Sequence, residues 1–130
     1  MNRAKKEVKT ETKSEAVPVD LNNKGVGPIT SVEFAEEIDT ELAAVGEAKY
    51  SAICTACHMA NQRMIGPALA GVYDRRSPEW VMNMILNPDV MLKEDPIAQA
   101  LLEEYNNAIM LNQNLSEEDA RAVAEYLRTL

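Results

Sequence analysis

Residues 54–58 read Cys54-Thr55-Ala56-Cys57-His58, gathering both cysteines and the single histidine of a 130-residue chain into one pentapeptide. Three ordinary explanations of paired cysteines fall short. A structural zinc site takes four ligands, usually Cys and His, and the chain supplies three. A thioredoxin-like redox pair belongs beside a βαβ pattern, which is not legible here. A disulfide across two intervening residues would close a tiny loop and constrain the unfolded chain little. C-x-x-C-H is instead the spacing of c-type haem attachment. Each thiol adds to one vinyl group of the porphyrin, and the two thioethers fix the ring edge against the chain. The adjacent imidazole then reaches the iron from one face, and a sixth ligand sets the task.

Composition is compatible with a fold built round such a group. The length is that of one domain, and 46% apolar residues exclude disorder throughout. Only six residues are Phe, Trp or Tyr, and a buried porphyrin would add a large flat apolar body to a core short of aromatics. No run approaches the 18 apolar residues of a membrane span. Thirteen basic residues against 21 acidic ones give a net charge of −8, which argues against a nucleic-acid partner. Residues 33–47 hold six acids and no base. Such clusters keep a surface solvated, and they also permit steering toward a basic partner.

Outward from the motif the chain divides into three parts. Residues 1–16 are polar and highly charged, and are expected to form a mobile tail or tether. They lack the apolar stretch of a secretory signal. In residues 17–38 the apolar Val17, Val19 and Leu21 alternate, then Gly25, Gly27 and Pro28 break the chain before Ile29, Val32 and Phe34. This pattern predicts an extended arm lying on the domain. Residues 39–130 read as a haem domain of about four helices, so the class is all-α. The first helix spans residues 40–54. The second opens at Ser77-Pro78-Glu79 and stops before Asn87-Pro88. The third opens at Asp95-Pro96 and runs to about residue 106, and the last opens at Ser116 with a capping-box pattern.

These features together resemble the class I cytochromes c, small monohaem electron carriers, over about 70% of the chain. Gly46 and Tyr50 precede Cys54 by eight and four residues, as in the family's N-terminal helix. Gly66-Pro67-Ala68-Leu69 is similar to the family's G-P-x-L loop, which implies that the Pro67 carbonyl accepts the second N–H of His58. Ala124-Glu125-Tyr126-Leu127 resembles the end of the C-terminal helix, and Tyr126 is expected against Gly46.

The resemblance also bears on the remaining ligands. With one histidine, bis-histidine ligation is excluded and methionine is the natural sixth ligand. Met110 precedes Tyr126 by 16 residues, where the family's distal Met lies, although the usual Met-Pro is here Met110-Leu111. Met91 is the alternative. Met82 and Met84 lie inside a helix, where methionine is ordinarily core filler. The spacing from Gly66-Pro67 puts Arg75 where the family often has an Arg beside a haem propionate. Trp80 has two readings, an indole N–H offered to a propionate or packing on the haem edge. For Tyr73 and Arg76, haem contact and surface or packing roles stand level.

The implied protein carries one haem c, covalently bound through Cys54 and Cys57, with iron held by His58 and Met110. It is expected to be a monomer moving one electron between larger respiratory proteins, an electron donor and an acceptor such as an oxidase or reductase, with no residue catalytic. The resemblance implies attachment of haem outside the bacterial cytoplasm, hence a periplasmic place or the outer membrane face, with residues 1–16 as the leash of a lost lipid anchor or signal. Two rivals stand beside it: a haem domain with a labile sixth ligand serving gas sensing or peroxide chemistry, and a haem domain cut from a larger oxidase or reductase.

Overall fold

Four of the five described helices start where the sequence places a capping side chain. In the computed structural model, which describes residues 17–130, the elements are α1 (Thr40–Ile53), a 3-10 turn (Val72–Asp74), α2 (Pro78–Leu86), α3 (Pro88–Glu94), α4 (Pro96–Glu104) and α5 (Glu117–Leu127). The expected tail at residues 1–16 lies outside the described residues. Asp39 accepts the Leu42 N–H ahead of α1, Ser77 that of Trp80 ahead of α2, Asp95 that of Ala98 ahead of α4, and Ser116 that of Asp119 ahead of α5, all between 2.8 and 3.0 Å. Each such cap satisfies an otherwise orphaned amide and contributes about 1 kcal/mol.

The fifth helix, α3, is one more than the sequence pattern predicts. Asn87-Pro88 reads as a stop, and it is one, but Pro88 also begins the next helix. A residue before proline is pushed out of the helical region, and Asn87 sits at φ −140°. Proline itself has the backbone angle of a first helical position. Seven residues are too few for periodicity to show.

The N- and C-terminal helices cross in direct backbone contact. A Cβ added at Gly46 of α1 would lie 1.9 Å from the Ala122 carbonyl oxygen of α5, so only glycine permits the crossing. Tyr126 meets Tyr50, with ring centroids 5.2 Å apart, while the backbone facing Gly46 is that of Ala122 and Val123. The main core joins Tyr50, Val72, Trp80, Val81, Met91, Ile97, Val123 and Leu127.

The arm runs over α2, α3 and α5, touching the turn before α2 through a parallel bridge between Asp20 and Arg76. Its alternation does not become alternating burial. Val17 is buried, but Val19 and Leu21 are exposed, because Asp20 Oδ1 accepts the Asn22 and Asn23 amides and turns the chain there. Polar side chains of the helices hold the arm instead. Asn83, fully buried, donates to the Lys24 and Ile29 carbonyls and accepts the Ile29 N–H, each within 3.0 Å. Glu79 accepts the Val32 N–H, and Asn87 donates to the Val26 carbonyl. Farther on, the Phe34 ring packs edge-on against Tyr73 and under the guanidinium groups of Arg121 and Arg128.

Candidate haem site

The pentapeptide folds as one turn off the end of α1. The Cys57 and His58 amides both donate to the Cys54 carbonyl, at 3.1 and 3.0 Å. The following loop is then drawn back beneath the imidazole, with Gly66 N–H on the Cys57 carbonyl, Leu69 N–H on that of Met59 and Ala70 N–H on that of Ala60. Gly66 lies against the His58 ring so closely that a Cβ would come within 2.5 Å of Cε1. His58 Nδ1 is 3.0 Å from the Pro67 carbonyl oxygen. A carbonyl only accepts, so Nδ1 carries the proton and Nε2 keeps its lone pair. Burial pulls the His58 pKa below its ordinary value against the opposing effect of the Pro67 bond, which leaves the imidazole neutral at pH 7. A carbonyl behind a ligating histidine also fixes its ring and raises its basicity. Cys54 and Cys57 form no disulfide with each other; burial, then the neighbouring Cys57, pushes the Cys54 thiol up.

All three residues border a cavity of about 400 Å³ enclosed by α1, the 54–76 loop, α2, α4, α5 and the 105–113 loop. Its walls are largely aliphatic, among them Leu69, Val81, Ile85, Leu101 and Leu127. Among the described residues the ionised groups on them are all basic, Arg63, Arg75 and Arg76, with no carboxylate on the lining. The Tyr50 hydroxyl is buried there with no hydrogen-bond partner among the described residues. An apolar slot with basic side chains, two thiols and one free imidazole lone pair suits a porphyrin, a flat apolar ring bearing two carboxylates.

The other residues singled out in the sequence separate clearly. Arg75 lines the cavity while its guanidinium donates to the carbonyls of Ala68, Ala70 and Gly71, bracing the loop under His58. Trp80 also lines it, but its indole N–H is given to Asp95 Oδ2 at 2.9 Å, so the proton expected for a propionate is already used. Tyr73 is not on the wall. Its hydroxyl donates to the Ala124 carbonyl at 2.8 Å, and burial pushes its pKa up; this is a packing role. Arg76 belongs to the cavity. It is 5% exposed, and among the described hydrogen bonds only Nη1 is engaged, by the carbonyls of Pro18 and Arg75. The family's spacing pointed to Arg75 and left haem contact open for Arg76, because nothing in the local pattern shows which of two adjacent arginines is buried.

Arg63 and Tyr105 are cavity residues that the sequence did not flag. Arg63 Nη1 is 3.1 Å from Glu104 Oε2, and its guanidinium carbon is 4.0 Å from the Tyr105 ring centroid. This clasp ties the loop under His58 to the end of α4.

The methionines also separate. Met91 is fully buried away from the cavity, and its sulfur accepts the Val26 N–H at 3.2 Å. Met84 and Met110 both reach the cavity wall. Met84 packs against the main core, in which Met110 takes no part. Met110 stands on a loop entered through two left-handed residues, Asn106 at φ 63° and Asn107 at φ 60°, a conformation asparagine tolerates better than most.

Comparison with known proteins agrees with this geometry. Residues 43–130 match the family model described as cytochrome c. Cytochrome c2 of Rhodopseudomonas palustris is 30% identical over 112 residues, covering 68% of this chain and 97% of that protein. A solved cytochrome c from Rhodothermus marinus is 46% identical with a TM-score of 0.76, over 79% of this chain and 88% of that one. An engineered form of that protein, solved bound to a carbene intermediate, has 46% identity and a TM-score of 0.73 over the same shares. The chain belongs to the cytochrome c family, proteins that carry covalently attached haem c and serve haem-based electron transfer.

Proposed function

We propose that this protein is a one-electron carrier between larger respiratory redox proteins, its haem c held through Cys54 and Cys57 with His58 and Met110 on the iron. The observation that carries the reading is the single cavity bordered by both thiols, by a His58 whose Nδ1 is committed to Pro67, and by Met110. Haem iron with a histidine and a thioether ligand cycles between two oxidation states at a raised potential. Pro67 fixes the His58 ring, and Arg75 holds the loop that presents it. Trp80 closes the wall as packing, and Arg76 supplies a buried positive charge. A filled sixth position would leave no open site for peroxide or gases, and no residue is assigned a catalytic role. Residues 39–130 form the haem domain and residues 17–38 its arm, with 1–16 as a tether. Periplasmic location follows from where haem c is attached, and the protein acts as a monomer.

Visible spectra of the purified holoprotein, with Met110→Ala and Met84→Ala beside it, test the ligand set. The weak far-red thioether–iron band of the oxidised protein is expected to vanish in Met110→Ala and persist in Met84→Ala. The reverse pattern would move the ligand to Met84. A high-spin spectrum in the unaltered protein would replace the carrier reading with ligand binding or peroxide chemistry.

A further inference from the structure

The described surface has a second depression that shares no residue with the haem cavity. It is a groove of about 680 Å³ between the arm, α1 and the first turns of α5. Met82 forms its buried floor, flanked by Ile29, Val32, Leu42 and Ala122. Val45 stands at its side with 50% of its surface in water. Val45 thus gives the groove one exposed aliphatic wall beside four aliphatic neighbours.

The rim is acidic. Glu33, Glu117, Glu118 and Asp119 border the groove. Asp119 has Lys49 at 3.5 Å, while Glu33, Glu117 and Glu118 have no ion pair among the described residues. Among the described residues Arg121 is the one cation on the lining, and it is committed to Glu125 at 2.7 Å. An apolar trough edged by unpaired carboxylates complements a segment that is aliphatic on one face and basic at its margins. A second copy of this chain would bring a net charge of −8 to the same acidic face.

We propose that this groove docks a basic amphipathic helix of a partner protein, its aliphatic side chains against Val45 and over Met82 and its Lys or Arg on Glu33, Glu117 and Glu118. The placement has a functional consequence. α2 turns Val81, Met84 and Ile85 to the haem cavity and Met82 to the groove, and α5 turns Val123 and Leu127 to the cavity and Ala122 to the groove. A partner seated in the groove therefore holds the carrier from behind, with the haem cavity free to exchange electrons.

The test uses the holoprotein and a fluorescently labelled amphipathic Leu/Lys helical peptide, titrated by anisotropy at low salt. Val45→Asp and the pair Glu117→Lys/Glu118→Lys are each expected to weaken binding about tenfold. The pair Glu94→Lys/Glu103→Lys, with the same charge change at exposed sites away from the groove, should weaken it less than about twofold. Ascorbate should reduce the haem equally fast with peptide bound. Equal weakening by both charge-reversed pairs would assign binding to the overall field and overturn the proposal. So would slowed reduction, which would place the peptide at the haem cavity. Self-association abolished by Val45→Asp would give the face to a second copy instead, and binding seen only after deletion of residues 1–16 would give it to the chain's own first segment.

Discussion

The indole N–H of Trp80 donates to Asp95 Oδ2 at 2.9 Å inside the fold. Asp95 is 2% exposed and also accepts the Asn23 side-chain amide at 2.7 Å and, as the cap of α4, the Ala98 N–H at 2.8 Å. One carboxylate thus joins the cavity wall, the arm and a helix start. Asp95→Ala leaves three donors without a partner. Each such loss costs about 1–3 kcal/mol, so a total destabilisation of about 3–5 kcal/mol is expected after partial rehydration. Asp95→Asn keeps one acceptor and should lose about half as much. Urea unfolding of the holoproteins measures both.

Glu125 makes stability depend on acid. It is 1% exposed and accepts from the Asp39 amide at 2.8 Å, Arg121 at 2.7 Å and Arg128 at 2.8 Å. Burial alone would raise its pKa, but those three donors outweigh it and hold the carboxyl below its ordinary value. In the window between the folded pKa and the unfolded value of about 4.3, the unfolded chain binds more protons. The contribution is therefore complete above about pH 5 and fades as pH falls through the folded pKa. Glu125→Gln should lose about 3 kcal/mol at pH 7, because it strips the partner from two arginines. Its deficit should shrink toward pH 3, which unfolding midpoints across that range would record.

What the sequence exposed, and what it hid, follows from the range of each interaction. Four of the five helices begin with a cap and, for two of them, a proline at adjacent positions, so their starts are local and readable. The motif is local as well, since Cys54, Cys57 and His58 lie within one turn. Other features are decided across the fold. Which of Arg75 and Arg76 is buried depends on the arm crossing at Pro18 and Asp20. Whether the Trp80 N–H is free depends on Asp95. Met91 is withdrawn from the cavity by Val26 and Gly25, both on the arm. The arm was legible as extended chain, yet its anchors were not, because Asn83 and Glu79 look like ordinary polar positions of a helix.

Asn83 is the arm's main anchor, with three hydrogen bonds from a side chain that water does not reach. Asn83→Ala abandons buried groups on the arm and leaves a small void, a loss of about 2–4 kcal/mol. Because Asn83 is not on the cavity wall, the visible spectrum of the haem should stay unchanged. The arm should be released, with faster tryptic cleavage after Lys24 and faster hydrogen exchange at the Ile29 amide. Altered haem bands with an intact arm would contradict this assignment.

Arg76 offers the sharpest test of how the arm and the cavity are joined. Burial, and then the neighbouring Arg75, draws its pKa down, yet a guanidinium stays charged in any accessible range. It is held by the Pro18 carbonyl at 2.7 Å and sits 5.6 Å from the Trp80 ring centroid, so its charge is fixed on the haem side of the arm. A fixed positive charge beside the cavity disfavours the more positive, oxidised iron. Arg76→Leu should therefore lower the reduction potential, by about 60 mV if the oxidised form gains a tenfold preference. Arg76→Lys retains the charge and should shift it by less than half of that. Deleting residues 17–20 leaves Arg76 in place but frees Nη1 from Pro18, and an intermediate shift is expected. Spectroelectrochemical titration of the three proteins gives the order directly; equal potentials in Arg76→Leu and the unaltered protein would show that this guanidinium does not act on the iron.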